Sequence, residues 1–394
     1  MRHEVLDAVI VGLGAVGSAT LYQLAKRGAS VIGIDRYSPP HAFGSSHGDT
    51  RITREAIGEG AQYTPLVQRS HAIWREIEAL TGEKLLHPVG GLFISSAAAK
   101  ATTHVPRFFE NTVDAARRFG IAHEILDAAA MRRRFPQFAV NDNEAGYFEP
   151  TAGYVRPEAC IGAQLALAQE AGAHIVRDTV VREVTQSNGV VRVRTDTTTY
   201  EASRAIVAAG AWIGEFLPPE IAARLSVTRQ VQYWFEVRGD PARYAPPQMP
   251  VWIWELQDRS SVIYGFPAID GPVGGLKLAT EQYAITTSPD TIERGVGPSE
   301  IASMYETLVK GHLPGLGPRC VRSAACLYTA TPDFHFLIDR HPRMANVIVA
   351  SPCSGHGFKH SAAVGEALAE HALEGQSTLD LSPFALHRDT ILPG

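Results

Sequence analysis

Residues 8–35 read AVIVGLGAVGSATLYQLAKRGASVIGID, and this stretch decides the fold. The apolar run 8–11 predicts a short buried strand, and the G-x-G-x-x-G turn at residues 12–17 follows it at once. Apolar residues then recur at helical spacing until a glycine ends the helix, and a second apolar run, 30–34, predicts a second strand. Strand, glycine turn, helix and strand in this order are typical of a dinucleotide-binding unit.

Each glycine of the turn has a physical use. Gly12 permits the tight turn, Gly14 lets the backbone approach a pyrophosphate, and Gly17 lets the helix pack closely against the strand. The start of the helix, at Ala15 and Val16, offers free N–H groups and a positive dipole end to phosphate. The turn therefore predicts a phosphate-binding site.

Asp35 ends the second predicted strand, about 20 residues after the glycine turn. A carboxylate at this place is suited to accept hydrogen bonds from a ribose hydroxyl. The pattern predicts a dinucleotide cofactor but leaves FAD and NAD as alternatives.

The composition is that of an ordinary globular protein. The chain has 394 residues, 45% of them apolar, and a net charge of −5. This charge argues against a protein that coats nucleic acid or an anionic membrane. Because the sequence has neither a run of about 18 apolar residues nor a signal-peptide pattern, it predicts a cytoplasmic protein without a membrane partner.

The four cysteines, at positions 160, 320, 326 and 353, form no CxxC pair and no zinc-type spacing. So few cysteines in so long a chain exclude a disulfide scaffold. We expect no metal site, and a reducing compartment is consistent with this cysteine content.

The order of the predicted elements suggests a discontinuous α/β domain. Residues 227–278 are rich in predicted strands, whereas an apolar strand at 347–350 and a helix at 361–373 return near the end of the chain. We predict a nucleotide-binding domain formed by residues 1–85, 150–222 and 318–394. Residues 86–149 and 223–317 would form a substrate-binding domain, with the substrate in the cleft between the two.

Several further motifs make the sequence recognisable. Residues 48–54 (GDTRITR) and 354–359 (SGHGFK) are accompanied, in order along the chain, by PPH at 39–41, GEG at 58–60, GAW at 210–212, YGFP at 264–267, GLK at 275–277 and CLYT at 326–329. With these motifs the chain resembles, nearly end to end, the monomeric sarcosine oxidase and N-methyltryptophan oxidase family of flavoenzymes.

The resemblance implies a discontinuous Rossmann-like domain that binds FAD, together with an α+β substrate domain that has a mainly antiparallel sheet. It implies a monomer that oxidises an N-methyl amino acid such as sarcosine to an imine, with O2 reduced to hydrogen peroxide. The imine would hydrolyse to amino acid and formaldehyde. Two alternatives remain open, a bulkier or cyclic secondary amino acid as substrate (N-methyltryptophan, pipecolate or a glycated amino acid) and an electron acceptor other than oxygen.

Cys326 corresponds to the cysteine that attaches the flavin covalently in this family. The attachment needs a thiolate, which an electropositive site would favour. The alternative is a buried structural cysteine, the usual state of a free thiol. Cys320 has no counterpart in the resemblance and is interpreted as structural.

The resemblance assigns the substrate carboxylate to Arg54 and Lys359, since a guanidinium and an ammonium both bind carboxylates well. Arg51 would lie over the flavin. Lys277 would lie at the flavin face and promote oxygen reduction by stabilising the negative charge that develops there. For each of these cations the alternative is a solvated surface charge.

Tyr264 and Tyr328 would line the substrate pocket, with core packing as the alternative. Together with the glycine turn and Asp35, the predicted flavin contacts are Arg36, Ser45, Ser46, Arg51, Ile52, Val181, Gly210, Trp212, Cys326, Ser354, Gly355, His356, Gly357, Phe358 and Lys359. Val181 would act through its backbone, and His356 through its backbone more than its ring.

Two features depart from the family pattern. Glu281 stands where these oxidases commonly carry histidine, near the substrate, and a carboxylate there would disfavour a second anionic group. Pro352 and Cys353 precede the SGHGFK motif where relatives have small or aromatic residues. If Trp234, Trp252 or Trp254 faces the pocket, a bulkier substrate is favoured. These departures concern the substrate and leave the reaction class unchanged.

Overall fold

The computed structural model describes residues 5–97, 99, 104–257 and 261–392. Within them the strands are, in chain order, β1 (Leu6–Val11), β2 (Val31–Ile34), β3 (Arg51–Thr53), β4 (Leu86–His87), β5 (Gly91–Ser95), β6 (Glu124–Asp127), β7 (Ala145–Glu149), β8 (Gly153–Val155), β9 (His174–Val176), β10 (Val181–Ser187), β11 (Val190–Thr195), β12 (Thr199–Val207), β13 (Ser226–Val237), β14 (Val251–Glu255), β15 (Val262–Gly265), β16 (Leu276–Thr280), β17 (Leu316–Ala330), β18 (Leu337–His341) and β19 (Met344–Ser351).

The α-helices are α1 (Ala15–Lys26), α2 (Thr64–Thr81), α3 (Phe108–Phe119), α4 (Ala128–Arg134), α5 (Pro157–Glu170), α6 (Pro219–Ala222), α7 (Pro241–Tyr244), α8 (Gly271–Gly274), α9 (Pro298–Met304) and α10 (Ser361–Glu374). Short 3₁₀ turns lie at Ala61–Tyr63, Gly210–Phe216, Phe358–His360 and Ser382–Phe384, and α9 continues into a π turn at Tyr305–Val309.

The first sheet has eight strands and begins with the glycine-turn unit. Its central strands are parallel: β1 pairs with β2 and β12, β2 pairs with β9, and β12 pairs with β19. An antiparallel β10–β11 hairpin extends it on one side, and β18 lies antiparallel to β19. Strand β19 comes from the end of the chain, so this α/β layer is assembled from distant segments, as predicted.

The second sheet also has eight strands, in the order β17-β13-β16-β15-β14-β5-β7-β6. All neighbouring pairs are antiparallel except β14 and β5. A small sheet of three strands, β3-β8-β4, stands apart from both large sheets. The predicted fold class, a Rossmann-like layer with a mainly antiparallel second sheet, is confirmed.

One predicted boundary needs correction. Strand β17 pairs with β13 from Leu316, opposite Val237, to Ala330, opposite Ser226. The boundary predicted at residue 318 therefore cuts through a strand of the second sheet, which continues to residue 330. The apolar pattern of a strand does not say which sheet it joins, because pairing is decided by residues far away in the sequence.

The first helix is packed tightly on both sides. In the glycine turn, Gly12 adopts φ +88°, and a Cβ on Gly17 would lie 2.8 Å from the carbonyl carbon of Gly12. On its other side α1 packs against α10, where a Cβ on Gly365 would lie 2.7 Å from the carbonyl carbon of Ala19. Glycine therefore lets α1 approach both β1 and α10 closely.

The three tryptophans of the strand-rich region are buried and do not line the large cleft described below. Trp252 and Trp254 belong to the core of the second sheet, and the indole N–H of Trp254 donates to Glu144 Oε1 over 2.8 Å. Trp234 lies beneath the cations of Lys277 and Arg322. Because none of the three tryptophans faces the cleft, they do not favour a bulky substrate.

In the described part of the chain, no helix is both long and apolar enough to cross a membrane. The four cysteines are free thiols.

We predict that Gly365→Ala destabilises the protein whereas Gly162→Ala does not. The new methyl group at residue 365 meets the α1 backbone, which costs about 1–3 kcal/mol in the free energy of unfolding. Gly162 lies in helix α5, and no atom lies within 4 Å of the position that a Cβ would take there, so alanine should gain about 0.5–1 kcal/mol. Thermal and urea unfolding of both variants measure the difference. Equal stabilities would contradict the close packing of α1 on α10.

Candidate active site

A large cleft of about 1850 Å³, its open mouth included, brings together residues of both large sheets. Val11 and Val181 of the first sheet line it, as do Ile253 and Tyr264 of the second. The glycine turn and Asp35 lie in its wall together with Arg54 and other distant motif residues. The cleft therefore joins the predicted cofactor and substrate sites in one cavity.

The glycine turn lies in the cleft wall as its sequence predicts. Gly14 has no protein atom within 4 Å of where a Cβ would stand, so this side of the turn is open to a ligand. Ala15 and Val16, in the first turn of α1, line the same surface. An open backbone at a helix N-terminus fits a pyrophosphate.

Asp35 is held in place by the backbone. Its Oδ2 accepts a hydrogen bond from the Leu13 N–H over 2.7 Å, and its Oδ1 accepts one from the Tyr37 N–H over 2.8 Å. Each carboxylate oxygen keeps a second lone pair for a ligand hydroxyl. These residues fit the ribose and pyrophosphate of a dinucleotide.

Farther along the cleft, Arg36 and Trp212 form a flat polar surface. The guanidinium lies 4.6 Å from the indole ring and forms ion pairs with Glu215 and Asp290. The Trp212 Nε1 donates to Asp290 Oδ1 over 2.8 Å. The other predicted cofactor residues that line this cleft are Ser45, Ser46, Arg51, Ile52, Val181, Gly210, Gly355, His356, Gly357 and Phe358.

The other end of the cleft contains a buried ion cluster. Arg54 donates to Glu59 Oε2, and the Lys359 Nζ lies 3.2 Å from Glu59 Oε1. Lys359 also donates to the His356 carbonyl over 2.9 Å, and the Arg54 guanidinium lies 5.0 Å from the centre of the Phe108 ring. Two cations share one carboxylate, which leaves one positive charge facing the cleft.

The charges of this cluster depend on one another. Burial acts to raise the pKa of Glu59, but Arg54 and Lys359 hold that pKa well below its usual range. Burial, with help from Arg54, lowers the pKa of Lys359 to about 8, against the opposing effect of Glu59. Burial and Lys359 lower the pKa of His356, so that its imidazole is neutral. Near neutral pH the cluster therefore keeps two cations and one anion.

Lys277 is buried just behind the cleft wall. Its Nζ donates to the carbonyls of Gly48 and Thr50, over 2.6 and 2.9 Å, and lies 4.6 Å from the centre of the Phe266 ring. Burial, with a smaller contribution from Arg51, lowers its pKa well below the usual value. This amine can therefore exist in the neutral form and take up a proton when negative charge appears beside it.

Cys326 lies on the same strand as Tyr328, two residues away, and so on the same face of β17. Its sulfur accepts a hydrogen bond from Gln232 Nε2 over 3.4 Å. Burial raises the pKa of this thiol, while Arg51 and Gln232 act to lower it. Burial thus disfavours the thiolate, whereas Arg51 contributes the positive charge that favours it.

Tyr264 and Tyr328 both line the cleft, and their hydroxyl oxygens lie 3.2 Å apart. Burial raises the pKa of Tyr264 to about 12, so the phenol stays protonated. The two hydroxyls form a neutral polar pair in the cleft wall.

Glu281 lines the cleft and is paired with His104, whose Nδ1 lies 3.2 Å from Glu281 Oε2. Pro352 and Cys353 line it as well, and the Thr329 N–H donates to the Cys353 sulfur over 3.3 Å. The residues that depart from the family pattern therefore face the same cavity as the ion cluster.

Four residues of the predicted site do not form part of the cleft surface: Gly17, Lys277, Cys326 and Ser354. Gly17 packs α1 on β1, and the Ser354 hydroxyl donates to the His335 carbonyl over 3.2 Å, within the protein. Ser354 is fully buried, so its placement does not favour a direct cofactor contact.

Glu59 and His104 line the cleft but were not predicted as site residues from the sequence. Glu59 lies inside the GEG motif, and a carboxylate flanked by glycines close to Arg54 could have drawn attention to it. His104 is surrounded by no motif, and only its distance to Glu281 reveals it. Among the described residues, no group of three or more His, Cys, Asp or Glu is arranged to hold a metal ion.

Comparisons with known proteins show the family to which the chain belongs. A family model described as FAD dependent oxidoreductase (DAO) matches residues 7–371. The chain is 35% identical over 389 residues to a monomeric sarcosine oxidase of Streptomyces avermitilis, covering 98% of each chain. It is 35% identical over 384 residues to the N-methyl-L-tryptophan oxidase of Yersinia pestis, covering 97% of this chain and 99% of the relative.

Solved structures share the fold. NikD, described as an unusual amino acid oxidase essential for nikkomycin biosynthesis, matches with a TM-score of 0.83 at 24% identity, covering 97% of both chains. Glycine oxidase from Geobacillus kaustophilus matches with a TM-score of 0.75 at 20% identity, covering 97% of this chain and 98% of that one.

Proposed function

The chain belongs to the family of FAD-dependent oxidoreductases, and we propose that within this family it oxidises an N-methyl amino acid such as sarcosine. The substrate would lose a hydride from its N-methyl carbon and become an imine, which water hydrolyses to the amino acid and formaldehyde. Oxygen would be reduced to hydrogen peroxide. We further propose that the protein acts as a monomer, in line with the name of its sarcosine oxidase relatives.

The observation that carries this proposal is the ion cluster in the same cleft as the dinucleotide cradle. Arg54 and Lys359 present one uncompensated positive charge beside Glu59, which suits a single carboxylate. The cluster lies among Phe108 and other apolar side chains that limit access of water. A small amino acid bound there would have its carboxylate fixed and its amine directed along the cleft.

A bound FAD would supply the redox chemistry, as acceptor of the substrate's hydride and donor of electrons to oxygen. The protein's own residues would position the amine and exclude water. The Tyr264 and Tyr328 hydroxyls offer neutral hydrogen-bonding groups in the cleft wall, so they can orient the amine without adding charge. The glycine turn, Asp35, Arg36 and Trp212 would hold the nucleotide part of the cofactor.

The test of this function is a peroxide assay with a panel of sarcosine, N-methyltryptophan, pipecolate, proline and a glycated amino acid. We expect sarcosine or another small N-methyl amino acid to give the highest kcat/KM. A higher kcat/KM for N-methyltryptophan, pipecolate or the glycated amino acid would show that the preferred substrate is bulkier or cyclic. Absence of flavin bleaching with every amine under anaerobic conditions would refute the proposal.

We propose that Lys277 promotes the reaction with oxygen. A buried amine with a lowered pKa can gain a proton as negative charge develops next to it, and the resulting cation stabilises that charge. The alternative, a dehydrogenase with another electron acceptor, would not need this group.

Replacement of Lys277 by Met should slow peroxide formation by about 10²–10³-fold and change anaerobic reduction by substrate far less. Stopped-flow measurement of the two half-reactions separates these steps. The control is Lys310→Met, because Lys310 is exposed and paired only on the surface with Glu306. Equal slowing of both half-reactions by Lys277→Met would contradict a role in oxygen reduction.

We propose that Cys326 attaches the flavin covalently. In support, its sulfur receives a hydrogen bond from Gln232 and lies close enough to Arg51 for this positive charge to favour the thiolate. The hydrogen bond and the positive charge both act to lower the pKa of the thiol, whereas burial raises it.

Acid precipitation of the purified protein should leave the yellow colour in the pellet, and Cys326→Ser should release it to the supernatant. The matched control is Cys320→Ser, since Cys320 lies on the same strand and its thiol donates to the Arg322 carbonyl, whereas the Cys326 sulfur contacts Gln232. Free flavin in the wild-type supernatant, or flavin release by the Cys320 variant alone, would contradict the assignment.

A further inference from the structure

Glu281 and His104 form a buried pair at the substrate end of the cleft. Glu281 directly follows β16, whereas His104 precedes α3, so the two residues come from separate parts of the chain. The His104 side chain is 2% exposed and the Glu281 side chain 18%. Pairing compensates the desolvation of a carboxylate that has no lysine or arginine in contact among the described residues.

The imidazole of His104 faces the ion cluster. Its ring stacks on the ring of His356, with centroids 5.5 Å apart and planes at 17°, and His356 Nδ1 lies 3.9 Å from Glu59 Oε1. The Nε2 of His104 is buried without a hydrogen-bond partner in the described structure, and the residue lines the cleft. This nitrogen therefore has an unsatisfied hydrogen-bonding capacity, in a residue that lines the cavity.

The charges at this end of the cleft explain why the pair matters. Arg54 and Lys359 are two cations, and Glu59 and Glu281 are two anions. Without a charge on His104 these four groups would sum to zero and would attract no carboxylate. A positively charged His104 restores one net positive charge.

We propose that His104 is a specificity-determining residue. Its positive charge cancels the negative charge of Glu281, so that the cleft keeps its affinity for one carboxylate. This inference rests on the proposed function, and it defines the substrate class as amines with a single carboxylate. A second carboxylate would find no uncompensated cation in the cluster.

The groups that face His104 support this charge state. Burial acts to lower the pKa of His104, but Glu281, through its charge and its hydrogen bond, raises that pKa above the usual value. Glu59 acts in the same direction, and Lys359 opposes it. The Tyr283 hydroxyl lies 3.2 Å from His104 Nδ1, and the adjacent His356 is neutral. His104 is therefore charged below its raised pKa and loses its charge as the pH rises through it.

The test uses purified holoenzyme and methoxyacetate, which keeps the carboxylate of sarcosine but has an ether in place of the amine and cannot react. Perturbation of the flavin absorbance gives its Kd. We expect His104→Gln to weaken binding about tenfold at pH 7, because the cluster becomes neutral. The double variant His104→Gln with Glu281→Gln should return to within about threefold of wild type, because the lost cation and the lost anion compensate.

Two further measurements separate this role from packing. Glu281→Gln alone preserves side-chain volume and should bind methoxyacetate within about threefold of wild type at pH 7, because loss of Glu281 lowers the pKa of His104 and the two charges disappear together. The dependence of Kd on pH in wild type should contain one step from His104 and one from Lys359, and the His104 step should be absent from both variants that lack it. His174→Gln, an exposed change on β9, serves as control.

The proposal is overturned if the double variant binds as weakly as His104→Gln, or if His104→Gln binds like wild type. It is equally overturned if Glu281→Gln binds methoxyacetate about tenfold more weakly than wild type at pH 7, a measurement that does not depend on folding of the His104 variants. Failure of the proposed function gives a different result, because no amine in the substrate panel would then bleach the wild-type flavin.

Discussion

The buried carboxylate of Glu59 holds the substrate end of the cleft together. It lies between Arg54, near the start of the chain, and Lys359, near its end. A charge taken out of water costs several kcal/mol unless it is paired, so each of these residues needs the others to remain ionised. For their charges to pair, the loop after β3 and the turn before α10 must lie next to each other in the folded chain. The proposed carboxylate site depends on this pairing, because two cations around one anion keep one positive charge free.

Lys277 is also buried, but the groups around its amine differ from those around Lys359. No carboxylate contacts its amine among the described residues, and the carbonyls of Gly48 and Thr50 hold it instead. Burial therefore lowers the pKa of Lys277 well below its usual value, whereas Glu59 acts to raise the pKa of Lys359 and so supports its charge. One lysine is suited to bind an anion that is present from the start. The other is suited to respond to negative charge that develops during a reaction.

Most of the fold could be predicted from local patterns. The glycine turn, the apolar runs of β1 and β2 and the strand-rich region after residue 226 all correspond to elements of the structure. The boundary at residue 318 failed because β17 is apolar enough for either sheet, and its long register with β13 assigns it to the second. The residues that line the cleft were predictable where they lie in motifs, as Arg54, Tyr264 and Lys359 do. His104 was not predictable, because it lies in no motif.

The sequence by itself determined the dinucleotide-binding unit, since glycine positions and strand–helix periodicity act over a few residues and are visible in the order of the letters. It also determined which chemical groups are available near the cleft. Only the tertiary structure decided how those charges balance. Glu281 alone suggests a site that repels anions, but His104, far away in the sequence, lies 3.2 Å from it. Electrostatic energy depends on distance in space and on burial, and for residues so far apart in the chain neither can be obtained from their spacing in the sequence.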